Sequence, residues 1–153
     1  MPSVLFVCTA NRSRSPVAAA CFEAELGRRA ALDGWSVSSA GTWATEGLPA
    51  TPDAISFAKR VGLDLAMHVS HTITAGMMRA ADLVVVMERG QKEALRSEFA
   101  EDAGKVQLLT ELAGEEPSDV PDPAMSAAPA EIYGEIAALI VKAFERIRLT
   151  VAG

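Results

Sequence analysis

Only two cysteines, Cys8 and Cys21, occur in 153 residues, so there is no disulfide framework and a reducing compartment is expected. Histidine is equally scarce. His68 and His71 stand three apart with no cysteine or carboxylate at ligand spacing, which argues against a metal cluster, and no cofactor is expected. No apolar stretch approaches the roughly 20 residues of a membrane span. The opening Met1-Pro2-Ser3 lacks the basic and apolar regions of a signal peptide, so a cytoplasmic protein without membrane insertion is expected. Positive charge is in deficit as well. A net charge of −6 argues against broad binding to nucleic acid or to an anionic membrane.

What is present reads as one globular domain over residues 1–153, with no repeats, linker or second domain. Half of the residues are apolar and 22% are charged, as in folded domains of this common size. Strand and helix signals alternate. Val4–Val7 is a short continuous apolar run, as buried parallel strands are. A helix is predicted from Pro16 to about Arg29, with Val17, Ala20, Cys21, Ala24 and Leu26 inward and Glu23, Arg28 and Arg29 outward. Trp35–Ser39 alternates like a second strand, and Ser39-Ala40-Gly41-Thr42 is predicted to turn the chain. Thr51-Pro52 opens a helix that runs to about Val61 and stops at Gly62. A short helical piece from Thr74, a strand Leu83–Met87, a helix Gln91–Phe99, a strand Val106–Leu109 and a closing amphipathic helix Ala130–Arg148 follow. Four strands with helices between them predict an α/β fold: a four-stranded parallel sheet covered on both faces. Ligands of such folds sit at the carboxyl ends of the strands, where strand order reverses.

The run Cys8-Thr9-Ala10-Asn11-Arg12-Ser13-Arg14-Ser15-Pro16 leaves that end of the first strand. Two cysteines and ten arginines would by chance give a Cys and an Arg six apart about one time in eight, so the pair alone means little. The strand before it and the helix start after it supply the context. A loop closing onto a helix N-terminus gathers backbone N–H groups around one point, with the positive end of the helix dipole behind them. That field suits a phosphate dianion and a thiolate alike. Arg14 adds a planar fork that matches two phosphate oxygens. Ser15 either caps the helix or donates to the thiolate, and Pro16 suits the first helical position. Thr9 to Ser13 complete the phosphate-binding loop. Cys21, predicted on the inward helix face, reads as a core residue.

A thiolate attacking a phosphate ester needs a proton for the leaving group and later a base for water, and one carboxyl can do both. Asp119-Val120-Pro121-Asp122-Pro123 offers it, with the single Asp-Pro of the chain stiffened by prolines on both sides of Asp122. Taken alone, Asp122 reads first as a turn residue or helix cap; the Cys8 loop is what turns the reading to an acid.

With these residues in place, the chain resembles the low-molecular-weight protein tyrosine phosphatase family, which includes bacterial protein arginine phosphatases. The resemblance covers nearly the whole chain. It is carried by Val4-Leu5-Phe6-Val7-Cys8…Arg14-Ser15-Pro16, Ser39-Ala40-Gly41-Thr42, Gly62-Leu63-Asp64…His68, Ala81-Asp82-Leu83-Val84-Val85-Val86-Met87 and Asp122-Pro123. It implies Cys8 as nucleophile, Arg14 as phosphate clamp and Asp122 as general acid and then base, acting on a phosphoprotein. It also implies that Asn11 shapes the loop, that Ser15 supports the thiolate, and that Ser39 and His68 brace the loop from behind. His71 has no matching role and is expected to be solvated. The chain departs from the family pattern at several points: Ala10 replaces a glycine, Ser13 a common second cysteine, and Glu88 a common Asp. Ala124 and Met125 stand where an aromatic often follows Asp-Pro. Trp43 either packs on the loop or supplies the missing substrate wall. Arg12 is the most unusual loop residue; a long cation there would repel a guanidinium leaving group and attract an acidic flank or a second phosphate, or would simply meet solvent or a rim carboxylate. A phosphotyrosine preference over phosphoarginine is therefore expected. Two other functions fit the same loop: arsenate reduction, which needs a thiol cascade that two cysteines do not offer, and a phosphate- or phosphopeptide-binding module without turnover.

Overall fold

The computed structural model describes residues 1–29 and 34–152. Its four strands, β1 (Ser3–Cys8), β2 (Ser36–Gly41), β3 (Leu83–Val86) and β4 (Val106–Leu108), form one parallel sheet in the order β2-β1-β3-β4. Strand order reverses between β1 and β3, so the carboxyl end of β1, where Cys8 lies, sits beside the switch point. The helices are α1 (Arg14–Arg28), α2 (Pro52–Arg60), α3 (Ala75–Ala80), α4 (Arg89–Glu98), α5 (Leu109–Leu112) and α6 (Pro129–Ala152). Among the described residues no helix is long and apolar enough to cross a membrane.

The period of two along a strand sorts the core into two layers. Val4, Phe6, Cys8, Leu83, Val85 and Met87 face α1, α2, α5 and α6, where they meet Val17, Phe22, Phe57, Leu109, Ile136 and Phe144. Leu5, Val7, Val84, Val86, Val106 and Leu108 face the other way, against Ile73, Met78 of α3 and Leu95 of α4. Both faces are covered, which is why β1 and β3 read as unbroken apolar runs.

Element ends differ from the sequence expectation for identifiable reasons. Helix α1 begins at Arg14, two residues early, because the last loop residues turn into the helix: Val17 N–H donates to Ser13 O at 3.1 Å. Pro16 is thus the third helical residue, still within the first turn, where the missing N–H has no intrahelical partner to lose. On that helix Ala20 and Ala24 are half-buried, whereas Phe22 and Glu25 are buried. Glu25 tolerates burial because Arg28 and Arg29, expected on the outer face, both reach back to it. Those hydrogen bonds, Arg28 first, hold its carboxyl below the usual range. Strand β2 continues through Ala40 and Gly41, expected to be a turn, because Gly41 pairs in register with Cys8. The short helix α5 carries no signal separable from the strand before it, and the closing helix runs past Arg148.

Phe22 is the hinge of the larger layer, with ring centroids 5.7, 5.5 and 5.4 Å from Phe6, Trp35 and Phe144. Phe22→Ala should cost about 3–5 kcal/mol in urea unfolding; a loss under about 1 kcal/mol would mean that α1 does not depend on this cluster.

Candidate active site

The loop from Cys8 to Arg14 is shaped around Asn11. Among the described residues it alone, glycines aside, has a positive φ, at 58°. An asparagine accepts that conformation more readily than most residues, and here every polar group of its side chain is used. Its Nδ2 donates to Ser15 Oγ at 2.8 Å and to Ser39 Oγ at 3.0 Å, and its Oδ1 accepts from His71 N–H at 2.9 Å. His68 Nε2 lies 2.7 Å from the Asn11 carbonyl. A carbonyl only accepts, so the ring carries its proton on Nε2.

Cys8 ends β1 with its Sγ 3.0 Å from Ser15 Oγ and 3.4 Å from the Ser15 N–H that donates to it. Ser15 Oγ accepts from Asn11, so its own proton has two acceptors in reach, the Cys8 sulfur at 3.0 Å and the Ala40 carbonyl at 3.4 Å. Ser15 is therefore no helix cap; Ser13 occupies that position, without a side-chain bond to the helix. Arg14 is buried at 3% exposure. Its Nη1 donates to Glu88 Oε2 and, at 2.9 Å, to the Val120 carbonyl. Its Nε is the one buried side-chain nitrogen or oxygen among the described residues without a hydrogen-bond partner. A guanidinium pinned at one end with an orphaned N–H in a loop of this kind is set for an oxyanion.

The walls of the loop come from three further segments. Gly41 is irreplaceable there, since a Cβ would stand 2.5 Å from Thr9 O and 3.1 Å from the Ala10 carbonyl carbon. Thr42 and Trp43 N–H groups hold the carbonyls of Cys8 and Thr9, both at 2.9 Å. Gln91 Nε2 donates to Thr9 Oγ1 at 3.1 Å, while its Oε1 accepts from the N–H groups of Met87 and Glu88. Ala10 is exposed, so its methyl meets no crowding, and Ser13 is half-buried. Arg12 is fastened at the rim: its Nε donates to Pro49 O at 2.8 Å and its carbonyl accepts from Thr51 N–H. Trp43 stands 86% exposed, so it is not packed on the loop.

Asp122 lies outside this bonded cluster. Its carboxylate accepts from Ala124 N–H at 3.0 Å, capping a 3-10 turn over Pro123–Met125, so it is a cap and an exposed carboxyl at once. It is tied to the loop through Val120, two residues earlier. Cys21 lies in the buried layer, where burial pushes its thiol from 9.0 up to about 11. His71 is exposed, as expected. Its ring pairs with Glu46 at the surface, yet its N–H secures Asn11. The roles of Glu88 and Gln91, of Val120 and of the close approach at Gly41 escaped the sequence reading, which names Glu88 only as the replacement for a common Asp. The first two carried a signal, Glu88-x-x-Gln91 after the third apolar strand, which is a helix-start pattern at the carboxyl edge of the sheet. Among the described residues no group of three or more metal-ligating side chains occurs.

The family model described as low molecular weight phosphotyrosine protein phosphatase matches residues 3–151. The chain belongs to that family. It is 36% identical over 121 residues to the probable low molecular weight protein-tyrosine-phosphatase EpsP of Ralstonia nicotianae, spanning 79% of this chain and 77% of the relative. It is 38% identical over 122 residues to the protein-arginine-phosphatase of Bacillus subtilis, spanning 78% of each. Among solved structures, the arginine phosphatase YwlE, as a Cys-to-Ser variant with a phosphorylated active-site serine, superposes with a TM-score of 0.88 at 30% identity over 95% of both chains.

Two measurements test this geometry. Gly41→Ala should push the Thr9 carbonyl away, costing about 1–3 kcal/mol and weakening competitive inhibition by inorganic phosphate; unchanged inhibition would show that the loop does not need this contact. The raised thiol of Cys21 means the folded state favours the neutral form. Its stabilisation is complete below pH 9 and is lost as pH climbs toward 11. Cys21→Ala should accordingly lose less stability than the native chain when urea unfolding is compared at about pH 8 and about pH 10.

Proposed function

We propose that this protein is a cysteine-dependent phosphatase of phosphoproteins that works through a phosphocysteine intermediate and prefers phosphotyrosine to phosphoarginine. The observation that carries the reading is the orphaned Arg14 Nε, held in a loop whose thiol already has Ser15 beside it. In the first step the Cys8 thiolate attacks phosphorus, the S–P bond forms and the P–O bond to the tyrosine ring breaks. The Asp122 carboxyl gives its proton to the departing phenolate. In the second step a water attacks the phosphocysteine, the Asp122 carboxylate takes a proton from it, and the S–P bond breaks to release inorganic phosphate and the thiolate. Arg14 and the loop N–H groups follow the charge on the equatorial oxygens through both steps. Thr9, Ala10, Asn11, Arg12 and Ser13 supply the cradle. Ser39 and His68 hold it through Asn11.

The substrate preference rests on Arg12. Its Nε bond to Pro49 O fixes a cation at the rim, where it disfavours the cationic group that carries phosphate in phosphoarginine. Trp43, exposed beside the loop, would offer an aryl phosphate one flat wall. Arsenate reduction would need a second thiol to take up the oxidation of Cys8. Cys21 sits about 9 Å further along α1 than Ser15, buried and with a raised thiol. A non-catalytic phosphate binder has no use for Asp122.

Phosphate release from a phosphotyrosine peptide should exceed that from the matched phosphoarginine peptide by about tenfold or more, vanish in Cys8→Ser, and fall about 100-fold or more in Asp122→Asn. Faster phosphoarginine turnover would overturn the preference. No turnover on either peptide, with phosphate still bound, would make the protein a binding module.

A further inference from the structure

The segment that carries Asp122 is fastened before Asp122 is reached. The Asp119 carboxylate accepts from the Arg89 backbone N–H at 2.8 Å and from Arg89 Nε at 3.3 Å. Val120 N–H donates to the Met87 carbonyl at 2.9 Å, and the Val120 carbonyl accepts from Arg14 Nη1. On the far side Pro123 is buried and starts the 3-10 turn. Only Pro121 and Asp122 lie between these anchors. The Pro121 ring fixes its own φ, and Pro123 confines Asp122 to extended backbone, where it is found at φ −72° and ψ 119°. With so few free dihedrals, the placement of residue 119 is passed on to the carboxyl of residue 122.

We infer that Asp119 is a positioning residue for proton transfer, setting where the Asp122 carboxyl meets the leaving oxygen. This rests on the reading of Asp122 as general acid. Arg89 is the first residue of α4, and its N–H is among those that a helix leaves without an internal partner. The Asp119 carboxylate fills that place with the charge the helix dipole favours. Arg89's side chain is 65% exposed, so its ion pair with Asp119 counts for little, and the backbone bond does the holding. The first turn of α4 thereby supports two parts of the reaction at once. Glu88 steadies Arg14, and Arg89 N–H steadies the segment of the acid.

Asp119→Ala removes the bond, whereas Asp119→Asn keeps an acceptor oxygen for the same N–H and should rescue it. The experiment compares kcat/KM for phenyl phosphate, whose leaving group needs a proton, and for 2,4-dinitrophenyl phosphate, which departs without one. Native chain, both Asp119 variants and Asp122→Asn are measured, with the inhibition constant of inorganic phosphate and Tm for each. Asp119→Ala should lose about tenfold on phenyl phosphate and under about twofold on the dinitrophenyl ester, with phosphate inhibition unchanged. Asp119→Asn should recover most of the loss. An equal loss on both esters, or weaker phosphate inhibition in step with it, would overturn the inference, because the damage would then be general or pass through Arg14. Should Asp119→Ala fail to fold, Asp119→Leu, which keeps the bulk of the side chain without an acceptor, takes its place; whichever of the two folds, native values on both esters refute the inference. If Asp122→Asn itself treats the two esters alike, Asp122 is not the acid, and the role of Asp119 falls with it.

Discussion

The left-handed turn at Asn11 is the constraint on which the site depends. A non-glycine residue in that conformation costs about 1–3 kcal/mol unless its surroundings compensate, and here they do. Four hydrogen bonds to Ser15, Ser39, His71 and His68 converge on one buried residue. The partners come from three parts of the fold: Ser15 from the start of α1, Ser39 from strand β2, and His68 and His71 from the segment after α2. Reversing the chain at Asn11 is what lets Ser15 and Cys8 approach each other across the loop. The same side chain orients Ser15 Oγ, so the shape of the cradle and the support of the sulfur share one cause.

Burying Arg14 sets the second requirement. A guanidinium at 3% exposure is tolerated because Glu88 and the Val120 carbonyl both take its Nη1. Glu88 is the residue before α4, two past the end of β3, so the ion pair exists only because the sheet places β3 beside β1. Gln91, one turn into α4, links the same corner to Thr9. An acidic chain thus keeps a buried, paired guanidinium at the switch point of its sheet.

Much of this was legible beforehand, and the reasons are local. Apolar runs such as Val4–Val7 mark strands buried on both faces, and Cys8, Arg14, Ser15 and Asp122 stand out because their chemistry needs those residue types in that order. Glu88 and Gln91 were harder to see: their pattern marks a helix start and says nothing of an arginine 74 residues away. His71 was invisible, since it contributes through a backbone N–H that any residue possesses. Helical spacing did not single out Phe22 and Glu25 as inward residues of α1, because burial there depends on Phe144 and on two arginines reaching back.

By itself the sequence determined the α/β order of elements and singled out Cys8, Arg14 and Asp122 as candidates, because periodicity over a few residues and side-chain chemistry are local properties. Tertiary structure alone decided which partners make them work. It brought Ser39, His68 and His71 onto Asn11, placed Glu88 against Arg14, left Arg14 Nε without a partner, and pressed Gly41 on Thr9. Those contacts join residues far apart in the chain, and the parallel register that brings Gly41 beside Cys8 is a property of the assembled sheet.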